Sequence, residues 1–211
     1  MEVEKRILLE IERRAIAGDL ERAANLLGYA KEVGLCVSSP DMFEQELAVD
    51  PLAGQFYRLR ARVKWRAGLR EEALVDMTRA LLVCDDEAFL FDQAGNVREQ
   101  ATDVPLAPWA RHALASVCHR LEGTPDSEWR HLVLARDASD DVAVHVRMAE
   151  NRRGAADEAE IAALGAALEQ APGWLEGSLR LIVARTRVGD EIGAHRALEN
   201  LSVCAERRRA A

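Results

Sequence analysis

Small and apolar residues recur behind glycine along this chain, at a spacing that repeats. In RAGLREEALVDMTRAL (66–81), Gly68 is followed by Ala73, Met77 and Ala80. In the same way Gly18 leads to Ala23, Leu27 and Ala30, and Gly123 to Glu128, Leu132 and Ala135. Gly154 leads to Ala159, Ala163 and Ala166, and Gly189 to Ala194, Leu198 and Leu201. The middle place is apolar in all five units, and each outer place is alanine in four of five. A residue seven further along a helix returns to nearly the same face, so the outer places share a stripe. Glycine adopts a left-handed turn conformation without steric cost and so ends the preceding helix. Alanine beyond it lets a neighbouring backbone approach, while the larger middle residue fills the adjoining gap. One helix pair built this way cannot bury its own apolar surface, but a stack of pairs can.

The periodicity predicts helices over 2–17, 20–34, 53–67, 70–84, 107–122, 126–137, 141–153, 156–171, 174–188 and 190–206. The six prolines fall between these or at their starts, where proline is tolerated. No stretch alternates over a strand's length, and long β-branched runs are absent. Two segments interrupt the rhythm, SSPDMFEQELAVDPLAGQ (38–55) and DDEAFLFDQAGNVREQATDVPLAP (85–108). The second carries Phe89, Leu90 and Phe91 together and then Gly95-Asn96, a turn signal. It is expected to be an extra short helix, a loop folded over a groove, or a bend within a single domain spanning 1–211.

AGDLERAANLLGYAKEVG, RAGLREEALVDMTRALLVCDD and RVGDEIGAHRALENL resemble the second half of tetratricopeptide repeats (TPR). Gly18-Asp19 and Gly189-Asp190 match the glycine-polar turn of that family. The resemblance implies an all-α fold, a right-handed α-solenoid of antiparallel helix hairpins, with about five hairpins and the two irregular inserts. It also implies a noncatalytic protein–protein interaction scaffold with a concave groove lined by the first helix of each unit. In the fourth unit, Arg147 and Glu150 stand where the family carries a small residue and an aromatic.

Composition narrows the function. Of 211 residues, 49% are hydrophobic and 30% charged, as in an ordinary globular chain. A net charge of -8 argues against nonspecific nucleic-acid binding as the main role. No apolar run approaches the ~20 residues that span a bilayer. The opening MEVEKRILLEIERR lacks a signal-peptide core, so no membrane association and a cytoplasmic location are expected. Cys36, Cys84, Cys118 and Cys204 are widely spaced and are expected to be reduced, packed as small hydrophobes.

The strongest surface candidate is QFYRLRARVKWRAG. Phe56, Leu59, Val63 and Ala67 share one face, and Tyr57, Ala61 and Trp65 another, as in a helix sandwiched between neighbours. Arg58, Arg62 and Arg66 form a stripe between them, with no acid from Asp50 to Glu71. Guanidinium groups hold carboxylates in a bidentate fork, so Arg58, Arg62, Trp65 and Arg66 are the expected partner-binding residues, taking an acidic peptide segment. The competing reading is a solvated face paired with Glu71, Glu72 and Asp76.

Catalysis has less support. His112, His119 and His131 are the one set from which a metal-dependent hydrolase could be built, but neither Cys-x-x-Cys nor His-Glu-x-x-His is present. Nucleophile elbows and phosphate-cradling loops are also missing. The expectation is therefore no enzyme activity, no cofactor and no metal. DASDD (137–141) reads as a solvated turn that caps the next helix. Trp109, Trp129 and Trp174 read as packing residues between helix pairs. A self-associating helical regulator subunit is a further alternative, with a homodimer formed through Leu198, Leu201, Val203 and Cys204.

Overall fold

The computed structural model describes residues 54–66, 68–155 and 157–210, together with 10, 11, 14, 19, 22, 23, 25 and 26 of the amino-terminal segment. The first insert before residue 54, Leu27, Ala30, Cys36, and the side chains of Phe56, Val63, Arg66 and Cys204 lie outside the described residues. The described residues are all helical apart from turns, with no strand among them. From residue 54 onward the described residues form nine helices: α1 Gly54–Arg66, α2 Arg70–Val83, α3 Glu87–Gln100, α4 Pro108–Leu121, α5 Pro125–Ala138, α6 Val142–Asn151, α7 Glu158–Gln170, α8 Leu175–Arg187 and α9 Glu191–Ala210. None is long and apolar enough to cross a membrane.

The glycine turns carry the architecture. Gly68, Gly123, Gly154 and Gly189 all have positive φ, between 67° and 81°. At three of them the helix closes in the same way. Leu69, Thr124 and Asp190 each donate their backbone N–H to the carbonyl five residues back, on Lys64, His119 and Arg185, at 2.9 Å. Each then accepts from the residue four further on, which is Ala73, Glu128 or Ala194. Asp19 repeats both bonds, to Arg14 at 2.9 Å and from Ala23 at 3.1 Å. A turn this short sends the chain straight back. Accordingly α1 packs along α2, α4 along α5 and α8 along α9, and α6 packs along α7 after a longer turn.

The small residues sit where the approach is closest. Ala23, Ala73, Ala80 and Ala135 are buried, and so is the middle residue Leu132. The fourth unit departs from the expected register. Its turn, 152–157, is longer than the others, and α7 begins with Asp157 capping the Glu160 N–H at 2.8 Å. The buried residues of α7 are therefore Glu160, Ala163, Leu164 and Ala167, so the predicted middle residue Ala163 is buried while the outer Ala159 and Ala166 are half-buried. Glu128 and Glu160 thus occupy equivalent places on α5 and α7, and both are buried.

Those two glutamates connect one pair to the next. Glu128 accepts from Arg147 on α6 at 2.6 Å and from Asn151 at 3.0 Å. Glu160 faces Arg180 on α8 at 3.5 Å, and Arg180 also bonds Glu150 and the Ala149 carbonyl. The two residues that depart from the repeat pattern, Arg147 and Glu150, are therefore the polar contacts between successive pairs.

The segment 85–108 holds a full helix rather than a short one. Asp86 caps α3 by accepting from the Ala88 and Phe89 N–H groups. Leu90, Ala94 and Val97 form its buried stripe and bracket Gly95-Asn96. Anchoring on both sides outweighs the ~1 kcal/mol that glycine costs in a helix, so the turn signal is overridden. The adjoining aromatics divide: Phe89 is half-buried and Phe91 is 78% exposed. Around this insert α2 lies against α3, α4 and α6 together. The α1–α2 pair thus sits across the first helices of the two following pairs. Trp109 and Trp174 are buried, as packing residues should be, and Trp129 is half-buried beneath the Arg152 guanidinium at 4.5 Å. Cys84 and Cys118 are free thiols, half-buried.

Candidate functional site

A cleft of about 290 Å³ opens between α1, α2 and α3. Its deep residues are buried: Ala61 of α1, Ala73 and Leu74 of α2, and Val97 of α3. Ala73 is the first small site of the repeat, so the residue that lets α1 and α2 approach also leaves the hollow. The outer walls carry Arg62 and Trp65 of α1, Met77 of α2, and Gln93, Asn96 and Gln100 of α3. The three carboxamides at i, i+3 and i+7 share one face of α3. Each offers both a donor and an acceptor.

The predicted arginine stripe is divided by this geometry. Arg62 is exposed, lines the cleft, and has no ion pair among the described residues. Trp65 is 39% exposed beside it, with the Arg70 guanidinium 5.6 Å above its ring. Arg58 instead lies 4.6 Å over the Phe89 ring and joins α1 to α3. The side chain of Arg66 is outside the described residues. The expected pairing of the stripe with Asp76 is not what forms. Asp76 is fully buried and binds Arg60 (3.0 and 2.5 Å), Lys64 (2.8 Å) and Arg79 (2.8 Å).

This ionic cluster, none of whose residues lines the cleft, was not expected. Arg79 bridges Asp76 to Asp141 at 2.8 Å and stacks 5.5 Å from Trp109. Asp141 also caps α6 through the Ala143 N–H at 3.0 Å. The DASDD turn therefore caps as predicted, but it is not wholly solvated, because Asp141 is buried. Burial pushes the Asp76 carboxyl up, yet its bonds and charges from Arg60 and Lys64 outweigh this and hold it below the usual range. Burial, with the Asp141 carboxylate adding, raises the Tyr57 phenol. Burial disfavours the Arg79 cation, but Asp141 and Asp76 raise its pKa on balance. The one local signal was Arg60 and Lys64 on a common helix face, and their acid lies on the next helix.

The three histidines do meet, across α4 and α5. The Nδ1 atoms of His112 and His131 are 3.4 Å apart, and His119 stacks on His131 with centroids 5.1 Å apart. The His119 Nδ1 is engaged by Glu122 at 3.1 Å and Thr124 at 3.2 Å. Burial, then the charges of His119 and His112, depress His131. Among the described residues, no group of three or more His, Cys, Asp or Glu is placed to hold a metal. At the carboxy-terminal end Leu198 and Val203 are exposed and Leu201 is half-buried. No family model matches the chain, and no curated protein or solved structure matches it either.

Proposed function

We propose that this chain is a noncatalytic interaction scaffold: a tetratricopeptide-like, right-handed solenoid of antiparallel hairpins, interrupted by α3, that holds an acidic segment of a partner protein. The observation that carries the reading is the cleft walled by α1, α2 and α3, where Arg62 stands exposed beside Trp65 over an apolar floor. Such a site suits a carboxylate next to one apolar side chain, with the guanidinium setting orientation and the floor supplying affinity. The carboxamides of α3 can satisfy the partner's main chain. The hydrolase reading has weaker support, because His119 is held by its own helix end and the His112–His131 contact offers only two ligands.

The test is an array of short peptides that place aspartate or glutamate beside one leucine or phenylalanine. Binding is expected, weakened at least about tenfold by Arg62→Glu and little changed by Arg58→Glu. An array without a binder, or binding untouched by the triple Arg58, Arg62, Arg66→Glu substitution, would remove the site.

A further inference from the structure

Exposed large hydrophobic side chains are not spread evenly over the described residues. Leu175, Leu179, Val183, Val188, Ile192, Leu198 and Val203 all belong to the last helix pair and its turn. Leu175, Leu179 and Val183 stand at i, i+4 and i+8 on α8, each about half exposed, opposite the Gly177, Leu181 and Ala184 side that faces the core. The helix in the same role one pair earlier is α6. Arg147 of α6 and Arg180 of α8 each reach back to a buried glutamate, which aligns Val146 with Leu179. Val146 is fully buried, because α2, α5 and α7 all lie against α6. Among the described residues α7 and α9 are the helices packed along α8, α6 meets it at Arg180, and the face corresponding to Val146 is about half exposed.

We propose that this face of α8 is covered by α8 of a second copy of the chain, antiparallel across a two-fold axis. The argument is self-complementarity, which an isologous interface requires. A two-fold axis passing between Leu179 and Val183 sets Leu179 against Val183 of the partner subunit. The same register brings Glu176, in the first turn, beside Arg187 of the partner subunit, and the symmetry makes this contact twice. Both residues are exposed, and they lie on the same flank of the apolar stripe. In an antiparallel pair like flanks meet, so acid faces base; in a parallel pair unlike flanks meet, which takes Glu176 away from Arg187. Glu176 also contacts Arg153 of its own chain at 3.3 Å, but that pair is more than half exposed and competes weakly. The surface differs from the Leu198–Val203 side of α9 read from the sequence, and it does not depend on the α1–α3 cleft.

Sedimentation equilibrium on the full chain tests the proposal. A reversible monomer–dimer equilibrium is expected. Leu179→Asp, and independently Val183→Arg, should abolish it while helicity by circular dichroism is unchanged. Glu176→Arg alone or Arg187→Glu alone should weaken the dimer about tenfold, and the double exchange should restore it to within about twofold. A single monomer mass up to about 1 mM chain would overturn the proposal and leave the face to a different protein. So would a dimer that survives Leu179→Asp, or one lost only with Leu198→Asp, which would place the contact on α9.

Discussion

The two ends of the described chain use charge in opposite ways. Around α1 and α2, Asp76 and Asp141 are buried and each carboxylate is answered by arginine or lysine from another helix. On α8 the charges Glu176 and Arg187 are exposed and the uncovered surface between them is apolar. A buried ion fixes how helices sit, because removing its partner strands a charge away from water. An exposed ion with an apolar stripe beside it adds little to the fold, but it can select what docks there. The first region is therefore committed to internal geometry around a cleft, and the second is free to meet another molecule.

The sharpest way to break this contrast is Asp76→Ala. It leaves Arg60, Lys64 and Arg79 without their shared acid and should cost about 3–5 kcal/mol by urea denaturation. Glu128→Ala should cost about 1.5–3 kcal/mol, because it strands Arg147 of the following pair, and Glu160→Ala should cost less, because Arg180 keeps Glu150 and the Ala149 carbonyl. Gly177→Ala tests packing within the same end as the open face. An added Cβ would lie 2.1 Å from the ring of Trp174, which is only 2% exposed, so a loss of about 1–3 kcal/mol is expected. Glu176→Ala, in contrast, should change stability by less than about 0.5 kcal/mol and be seen only in self-association. If Asp76→Ala and Glu176→Ala prove equally mild, the distinction between the two regions fails.

Acidification probes the first region through Asp76. Asp76 is held below its ordinary range in the folded chain, so as the pH falls the unfolded chain takes up this proton first. Its contribution is complete above the usual carboxylate value of about 4 and is lost as the pH drops through the lower folded value. His131 acts in the same direction at higher pH. Its folded pKa is depressed, so stability should decline slightly as the pH drops below the ordinary histidine value of about 6.5, and His131→Asn should flatten that step. A thermal-melting series across pH measures both.

Much of the helix map was legible along the chain. Eight predicted helices fall within the described residues and all eight are present, with ends set by glycine, proline or aspartate caps. Two local signals misled. Gly95-Asn96 reads as a turn, but Leu90, Ala94 and Val97 hold the helix through it. Ala159 reads as the first small site of its unit, but a longer turn moves that place to Glu160. Of the candidate site, Arg62 and Trp65 were legible because an acid-free, two-faced helix is conspicuous. Gln93, Asn96 and Gln100 were not, because their role depends on α3 folding back against α2.

The amino-acid order by itself determined where helices start and stop, and which positions are small enough for close approach. These depend on backbone conformation and on neighbours a turn or two away. Only the tertiary structure decided which charges are buried and which apolar faces stay open. Arg79 meets Asp141 62 residues away, and α2 comes to lie against α6 while, among the described residues, no helix lies in that place on α8. Desolvation is a property of the assembled neighbourhood, so the local pattern does not distinguish Asp76 at the centre of a cluster from Glu176 in water.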